Sequence, residues 1–171
     1  SNMDAVRSGT DVHPARTCPL RCCSECRIYD PNRVVIQQDQ PSSLVATVRN
    51  GWLYRYRKLQ NGRQQIISFI IPGDFLTFSF HSRPEMPVAY GVKSVSKTAL
   101  CVFERDHFMQ VVTQEAAFTA DFHKESAAYD ELLHRRLADI GQRSAKARLG
   151  QLLLELYRRH SARGMIKDNG F

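Results

Sequence analysis

The hydrophobic period of this chain changes once, near Arg105, and that change limits the fold more than any other feature. Before it, short apolar stretches at 33–37, 44–49, 52–58, 64–71, 75–80, 88–95 and 99–104 are divided by turn-forming residues, the pattern of short strands. After it, residues 108–140 contain no Gly or Pro, and Phe118, Phe122, Ser126, Tyr129, Leu133, Leu137 and Ile140 recur at steps of three or four. That spacing lines one stripe of a long helix. Strands followed by helices predict an α+β chain.

Within the strand region, Asn50-Gly51 and Asn61-Gly62 each suit a two-residue type I′ hairpin, whose central positions both need positive φ. Trp52, Tyr54 and Tyr56 alternate with Leu53, Arg55 and Arg57, which sets the aromatics on one strand face and mostly polar residues on the other. Short antiparallel strands with Gly and Pro turns predict a jelly-roll or double-stranded β-helix type of roll. The helical stripe, read over roughly 25 residues, would be ~38 Å long, more than a β unit of this size covers, so a second copy is the expected partner and the chain a homodimer. Gly141 interrupts the stripe, and Ser144 is placed to cap a second helix carrying Leu149, Leu152, Leu153 and Leu156 at core spacing. Nothing after it covers those leucines, so a further domain or another docking surface is expected.

No apolar run approaches the ~20 residues of a membrane span, and no export signal opens the chain, so a cytoplasmic protein with no membrane partner is expected. Residues 134–171 hold nine Lys or Arg against three acidic residues, which is +6 of the total +7. A basic end on a near-neutral body suits a polyanion such as nucleic acid, or simply a solvated helix face. Four of the five cysteines lie within 18–26. Cys18-x4-Cys23-x2-Cys26 with a distant Cys101 has the spacing of plant-type ferredoxin ligands, which points to an iron-sulfur cluster with Cys22 as the alternative to Cys23. A zinc site, a reversible Cys23/Cys26 dithiol or unliganded thiols are the competing readings, and Cys101 also suits a plain core residue. Metal-dependent roll enzymes need several His and a carboxylate converging from neighbouring strands, whereas residues 33–104 contain only His81. An enzyme is not expected.

Gly51-Trp-Leu-Tyr-Arg-Tyr, then Asn61-Gly62-Arg-Gln-Gln-Ile-Ile-Ser-Phe, then Ile71-Pro72-Gly73-Asp74-Phe75, a long helix, and Ser144-Ala-Lys-Ala-Arg-Leu-Gly-Gln-Leu-Leu153 follow one another in order. This succession resembles the cyclic AMP receptor and fumarate-nitrate regulator (Crp/Fnr) superfamily of bacterial transcription factors. The resemblance implies a cyclic-nucleotide-binding-like roll as sensor, a dimer helix, and a helix-turn-helix that reads promoter DNA and is absent from this chain; RNA polymerase is a further implied partner. It divides the chain into a Cys-rich segment (1–28), the roll (29–107), the dimerisation helix (108–141) and the start of the DNA-binding domain (142–171). Phe118, Phe122, Tyr129, Leu133, Leu137 and Ile140 are then the expected dimer interface. Cyclic AMP binders of the superfamily carry a Gly-Glu after the Pro-Gly-Asp segment and later an Arg-Ser pair. Here Leu76-Thr77-Phe78 and Pro87-Val88-Ala89-Tyr90 stand in those places, so cyclic AMP is not the expected ligand. Cys101, in Ala99-Leu-Cys-Val-Phe103, resembles the strand cysteine of the oxygen-sensing branch. His81, beside Phe78, Phe80 and Met86, sits where haem-dependent members place an axial ligand, which makes haem the alternative cofactor.

Overall fold

The computed structural model describes residues 24–76, 85–142 and 144–164. Among these residues seven strands come first: β1 (Glu25–Tyr29), β2 (Val34–Ile36), β3 (Val45–Asn50), β4 (Leu53–Lys58), β5 (Gln64–Ile70), β6 (Gly91–Ser94) and β7 (Thr98–Phe103). Three helices follow, α1 (Arg105–Gln114), α2 (Ala116–Gln142) and α3 (Ala145–Ala162). The strands form two sheets, ordered β1-β7-β3 and β2-β6-β4-β5, and every pairing is antiparallel. This is the expected antiparallel roll followed by helices.

Strand alternation builds two cores from the first sheet. Ala46, Val48, Leu100 and Val102 pack with Ile36, Leu53, Ile70 and Val92 of the second sheet, and each such aliphatic contributes about 1.5–3 kcal/mol when fully buried. Their strand neighbours Val45, Cys101 and Phe103 lie instead in a second cluster with Phe75, Phe108 and Val112 of α1, and Phe122 of α2. Both clusters belong to a compact unit ending at Phe122; a second unit begins at His123.

Several local expectations change. Asn50-Gly51 does not close a hairpin, because β3 pairs with β7 while β4 pairs with β5 and β6; Gly51, at φ 86°, turns the chain from one sheet to the other. Asn61-Gly62 does lie in the β4–β5 hairpin, but as a three-residue loop. The Gly62 N–H donates to the Leu59 carbonyl (2.9 Å) and the Leu59 N–H to the Arg63 carbonyl (2.8 Å), and only Gly62 of the pair has positive φ, the type I turn plus bulge geometry. Of the stretch at 75–80, Phe75 bridges Thr47 and the Leu76 N–H donates to the Ala46 carbonyl at 3.0 Å, while 77–80 lie outside the described residues. β1 is an added strand that begins in the Cys-rich segment (1–28) and ends at Tyr29, the first residue assigned to the roll. On β4, Leu53 joins the roll core and Arg55 is buried on it, so one supposedly polar position is internal.

The stripe from Phe118 to Ile140 lies on one helix, α2, as expected, but the expected helical region from Phe108 onward is broken at Glu115, whose φ −101° and ψ 96° are extended. The reason is geometric. Phe108 and Phe122 are 14 positions apart, ~21 Å along a straight helix, yet their ring centroids lie 6.3 Å apart. Only a break lets both reach one cluster, and the Thr119 hydroxyl spans it by donating to the Val112 and Glu115 carbonyls. At the other end of α1, the Glu104 carboxylate accepts from the His107 (2.7 Å) and Asp106 (3.1 Å) N–H groups.

In the second unit, Ser144 caps α3 as expected, its hydroxyl accepting from the Ala147 N–H at 3.3 Å. Glu155 of α3 pairs with Arg136 of α2 (2.9 Å) and with Arg159 (3.2 Å), while Arg163 lies 3.6 Å from Glu125. The order of these partners sets α3 antiparallel to α2. Of the leucines expected to be uncovered, Leu149 and Leu153 are 57% and 59% exposed, whereas Leu152 and Leu156 are half-buried. Among the described residues no helix is long and apolar enough to cross a membrane.

Candidate functional site at the edge of the first sheet

Among the described residues β1 is an edge strand, and its register with β7 sets Cys26 directly opposite Cys101. Opposed residues of an antiparallel pair have Cα atoms about 4.5–5.5 Å apart and side chains on the same face. Cys101 has Thr47 of β3 as its partner on the other side. The two thiols differ in access: Cys26 is half-buried, whereas Cys101 is 4% exposed. Neither is in a disulfide. β1 is held at its start by Ser24, whose N–H and hydroxyl both donate to the Val102 carbonyl at 2.9 and 3.1 Å. Glu25 and Arg27 flank Cys26 and pair at 2.8 Å; the hydrogen bond from Arg27 holds the Glu25 carboxyl below its ordinary value.

Cys101 faces the aromatic seat of the helices. Phe108 of α1 sits 5.7 Å from Phe103, 5.8 Å from Phe75 and 5.8 Å from Phe118, and Phe122 sits 5.5 Å from Phe75. Edge-on aromatic pairs of this kind add about 0.5–1.5 kcal/mol each beyond their buried area. Cys101 thus shares one cluster with the groups that seat α1 and the first turns of α2.

The other sequence-predicted positions divide as follows. Cys18, Cys22, Cys23 and His81 lie outside the described residues. Phe118 and Phe122, the first members of the predicted dimer stripe, pack within their own unit, with Phe122 3% exposed. Tyr129 and Leu133 are half-buried, Leu137 is 68% exposed, and Ile140 falls on α2 near its end. Among the described residues no group of three or more His, Cys, Asp and Glu is placed to hold a metal ion; the described part of the cysteine set is the Cys26/Cys101 pair. Two thiols on one face suit half of a four-thiolate ligand set.

Arg55 is the buried group that the sequence pattern hid. It is 2% exposed, and its guanidinium donates to the Phe75 carbonyl (2.7 Å), the Leu76 carbonyl (3.1 Å) and the Ser68 hydroxyl (3.1 Å). The cation also lies 5.9 Å from the Tyr90 ring. It fastens the turn after Pro72-Gly73-Asp74 to the second sheet. Its one sequence signal was its place two residues after Leu53 on the same strand face.

Residues 26–115 match the family described as the cyclic nucleotide-binding domain. The transcriptional activator protein FnrL of Cereibacter sphaeroides is 25% identical over 181 residues, covering 94% of this chain and 70% of that protein. The transcriptional activatory protein AadR of Rhodopseudomonas palustris is 24% identical over 126 residues, 74% of this chain and 51% of that protein. Both relatives are named as regulators rather than enzymes. Among solved structures, FixK2 from Bradyrhizobium japonicum shares the fold with a TM-score of 0.68 at 22% identity, over 78% of this chain and 66% of that one. The chain thus spans between about half and 70% of these relatives' length. With an antiparallel roll of this topology and a match over more than half of its residues, the chain belongs to the cyclic nucleotide-binding domain family.

Proposed function

We propose that this chain is the sensory and dimerisation portion of a transcription regulator, and that its signal is read at the cysteines around Cys26 and Cys101 rather than by cyclic AMP. The observation that carries the proposal is the register of β1 on β7, which sets the two thiols opposite each other above the aromatic seat of α1 and α2. The case against cyclic AMP draws on Arg55. A buried phosphate requires charged or multiple donors, and this internal guanidinium already donates to two carbonyls and a hydroxyl.

Cys26 and Cys101, with Cys18 and either Cys22 or Cys23, would hold an iron-sulfur cluster, whose bound chemistry is one-electron redox and reaction with oxidants. The protein's own part is mechanical. The β7 strand presents Cys101 to the cluster of Phe75, Phe103, Phe108 and Phe122, and a change there shifts the population of arrangements available to α2. Tyr129, Leu133 and Leu137 form the seam with a second copy, since Phe118 and Phe122 are covered within their own unit. Promoter DNA is read by a domain beyond this chain, and the basic residues of α3 position phosphate without specifying sequence.

Anaerobic purification followed by an absorption spectrum with iron and sulfide analysis tests this reading. Broad charge-transfer bands with stoichiometric sulfide are expected. A Soret band would move the site to His81. A colourless chain whose cysteines react identically before and after exposure to oxidant would overturn it.

A further inference from the structure

Resting on the cysteine reading above, we infer that Cys26 and Cys101 form, in the metal-free chain, a reversible cross-strand disulfide driven by hydroperoxides, and that its formation loosens the seat of α1. Three features carry this. The register opposes the two residues on neighbouring strands. Opposed Cβ atoms lie about 4.5–5.5 Å apart, against about 3.5–4.5 Å in a disulfide, so closure requires a shift of about 1 Å. β1, which among the described residues is an edge strand paired to β7 alone, can make that shift without breaking a second described ladder.

The difference in burial assigns the order of events. Half-buried Cys26 is the thiol that a hydroperoxide reaches, and Cys101, 4% exposed, is the one that resolves. In the first step the Cys26 sulfur attacks the peroxide, the O–O bond breaks, and Cys26 becomes a sulfenic acid as the peroxide is reduced to water or an alcohol. In the second, the Cys101 sulfur displaces that hydroxyl, the S–S bond forms, and the thiol proton leaves with the hydroxyl as water. Both electrons lost by the thiol pair have gone to the peroxide. A dithiol reductant reverses the exchange. The consequence follows from the packing: drawing the Cys101 sulfur toward β1 withdraws it from the cluster that holds Phe103 and Phe108.

The sequence makes the link easy to read. Cleavage after glutamate places Cys18, Cys22 and Cys23 in peptide 1–25, Cys26 alone in 26–85 and Cys101 alone in 86–104. The metal-free, reduced natural chain is treated with one equivalent of hydrogen peroxide, alkylated and digested without reductant. The expected product is peptide 26–85 joined to 86–104, lighter by two hydrogen atoms and released by dithiothreitol. Hydrogen exchange across 105–114 should rise in the linked form and recover on reduction. The variant Cys18→Ser/Cys22→Ser/Cys23→Ser, in which Cys26 and Cys101 are the remaining thiols, should lose both thiols per chain without gaining a crosslink between chains. Oxygenated Cys26 beside an alkylatable Cys101, a link from Cys101 to peptide 1–25, or a joined pair with unchanged exchange in α1 would each overturn the inference. None of these would disturb the iron and sulfide result, which tests the broader reading separately.

Discussion

Phe122 and Leu137 stand on the same helical stripe, yet the structure predicts that truncating them damages different things. Phe122 is 3% exposed and stacks edge-on against Phe75 at 5.5 Å and Phe108 at 6.3 Å. Its replacement by Ala removes a buried ring and two aromatic pairs, a loss of about 3–5 kcal/mol. With a urea slope near 2 kcal/mol/M, this moves the unfolding midpoint down by about 1.5–2.5 M. Because the lost contacts lie within one unit, the shift should be the same at about 2 and about 50 µM protein, where a purely interfacial loss would depend on concentration. Leu137, 68% exposed, behaves oppositely. Leu137→Ala removes about three CH₂ equivalents, near 0.8 kcal/mol each, of which about two thirds is available to a partner. Summed over two copies this is about 3 kcal/mol, or about two orders of magnitude in dimer Kd, with little change in the unfolding of the isolated subunit. Urea titrations at the two concentrations and light scattering across a dilution series separate the cases. A concentration-dependent loss for Phe122→Ala, or an unchanged dimer for Leu137→Ala, would refute the division of the stripe.

Arg55→Met should destabilise the roll by about 2–4 kcal/mol, because it leaves the Phe75 and Leu76 carbonyls without this donor in a buried setting; calorimetry of the variant measures it. The Glu104 carboxyl is held below its ordinary value by the His107 and Asp106 N–H groups, so its capping of α1 is fully present above the unfolded carboxylate range and is lost as pH falls through the depressed value. Melting temperatures from about pH 6 to about pH 3 should therefore fall more steeply for the natural chain than for Glu104→Gln. Glu155→Ala should loosen the pairing of α3 with α2 by about 1 kcal/mol, an effect that shrinks with added salt, since Glu155 bridges Arg136 and Arg159 with 17% of its side chain exposed. Helix content measured by circular dichroism at low and high salt reads this directly.

The roll was legible because burial imposes period two on strands such as β3 and β7, and because Ser144 carries a local capping signal that needs no tertiary context. The pairing of strands was not. Asn50-Gly51 looks like a hairpin to its neighbours in sequence, but β3 and β4 lie in different sheets, a choice made by contacts with β7, about 50 residues away. The break at Glu115 was equally hidden, since no Gly or Pro marks it and the driving force is the convergence of Phe108, Phe118 and Phe122 on one cluster. At the candidate site, the cysteine spacing grouped Cys26 with Cys101 in one ligand set but said nothing of how the two face each other. Their opposition across β1 and β7 is a matter of register, which depends on where β1 docks along an edge. Arg55 was masked by the alternation that made β4 recognisable.

In the mechanism proposed above, the state of Cys26 and Cys101 is transmitted through the aromatic seat to the self-association of the chain. Sedimentation equilibrium of anaerobically reduced and of peroxide-oxidised protein, side by side at the same concentrations, tests it most directly. A dimer in at least one state, with a dissociation constant that differs between the two, is expected. Identical constants, or a monomer in both, would contradict it.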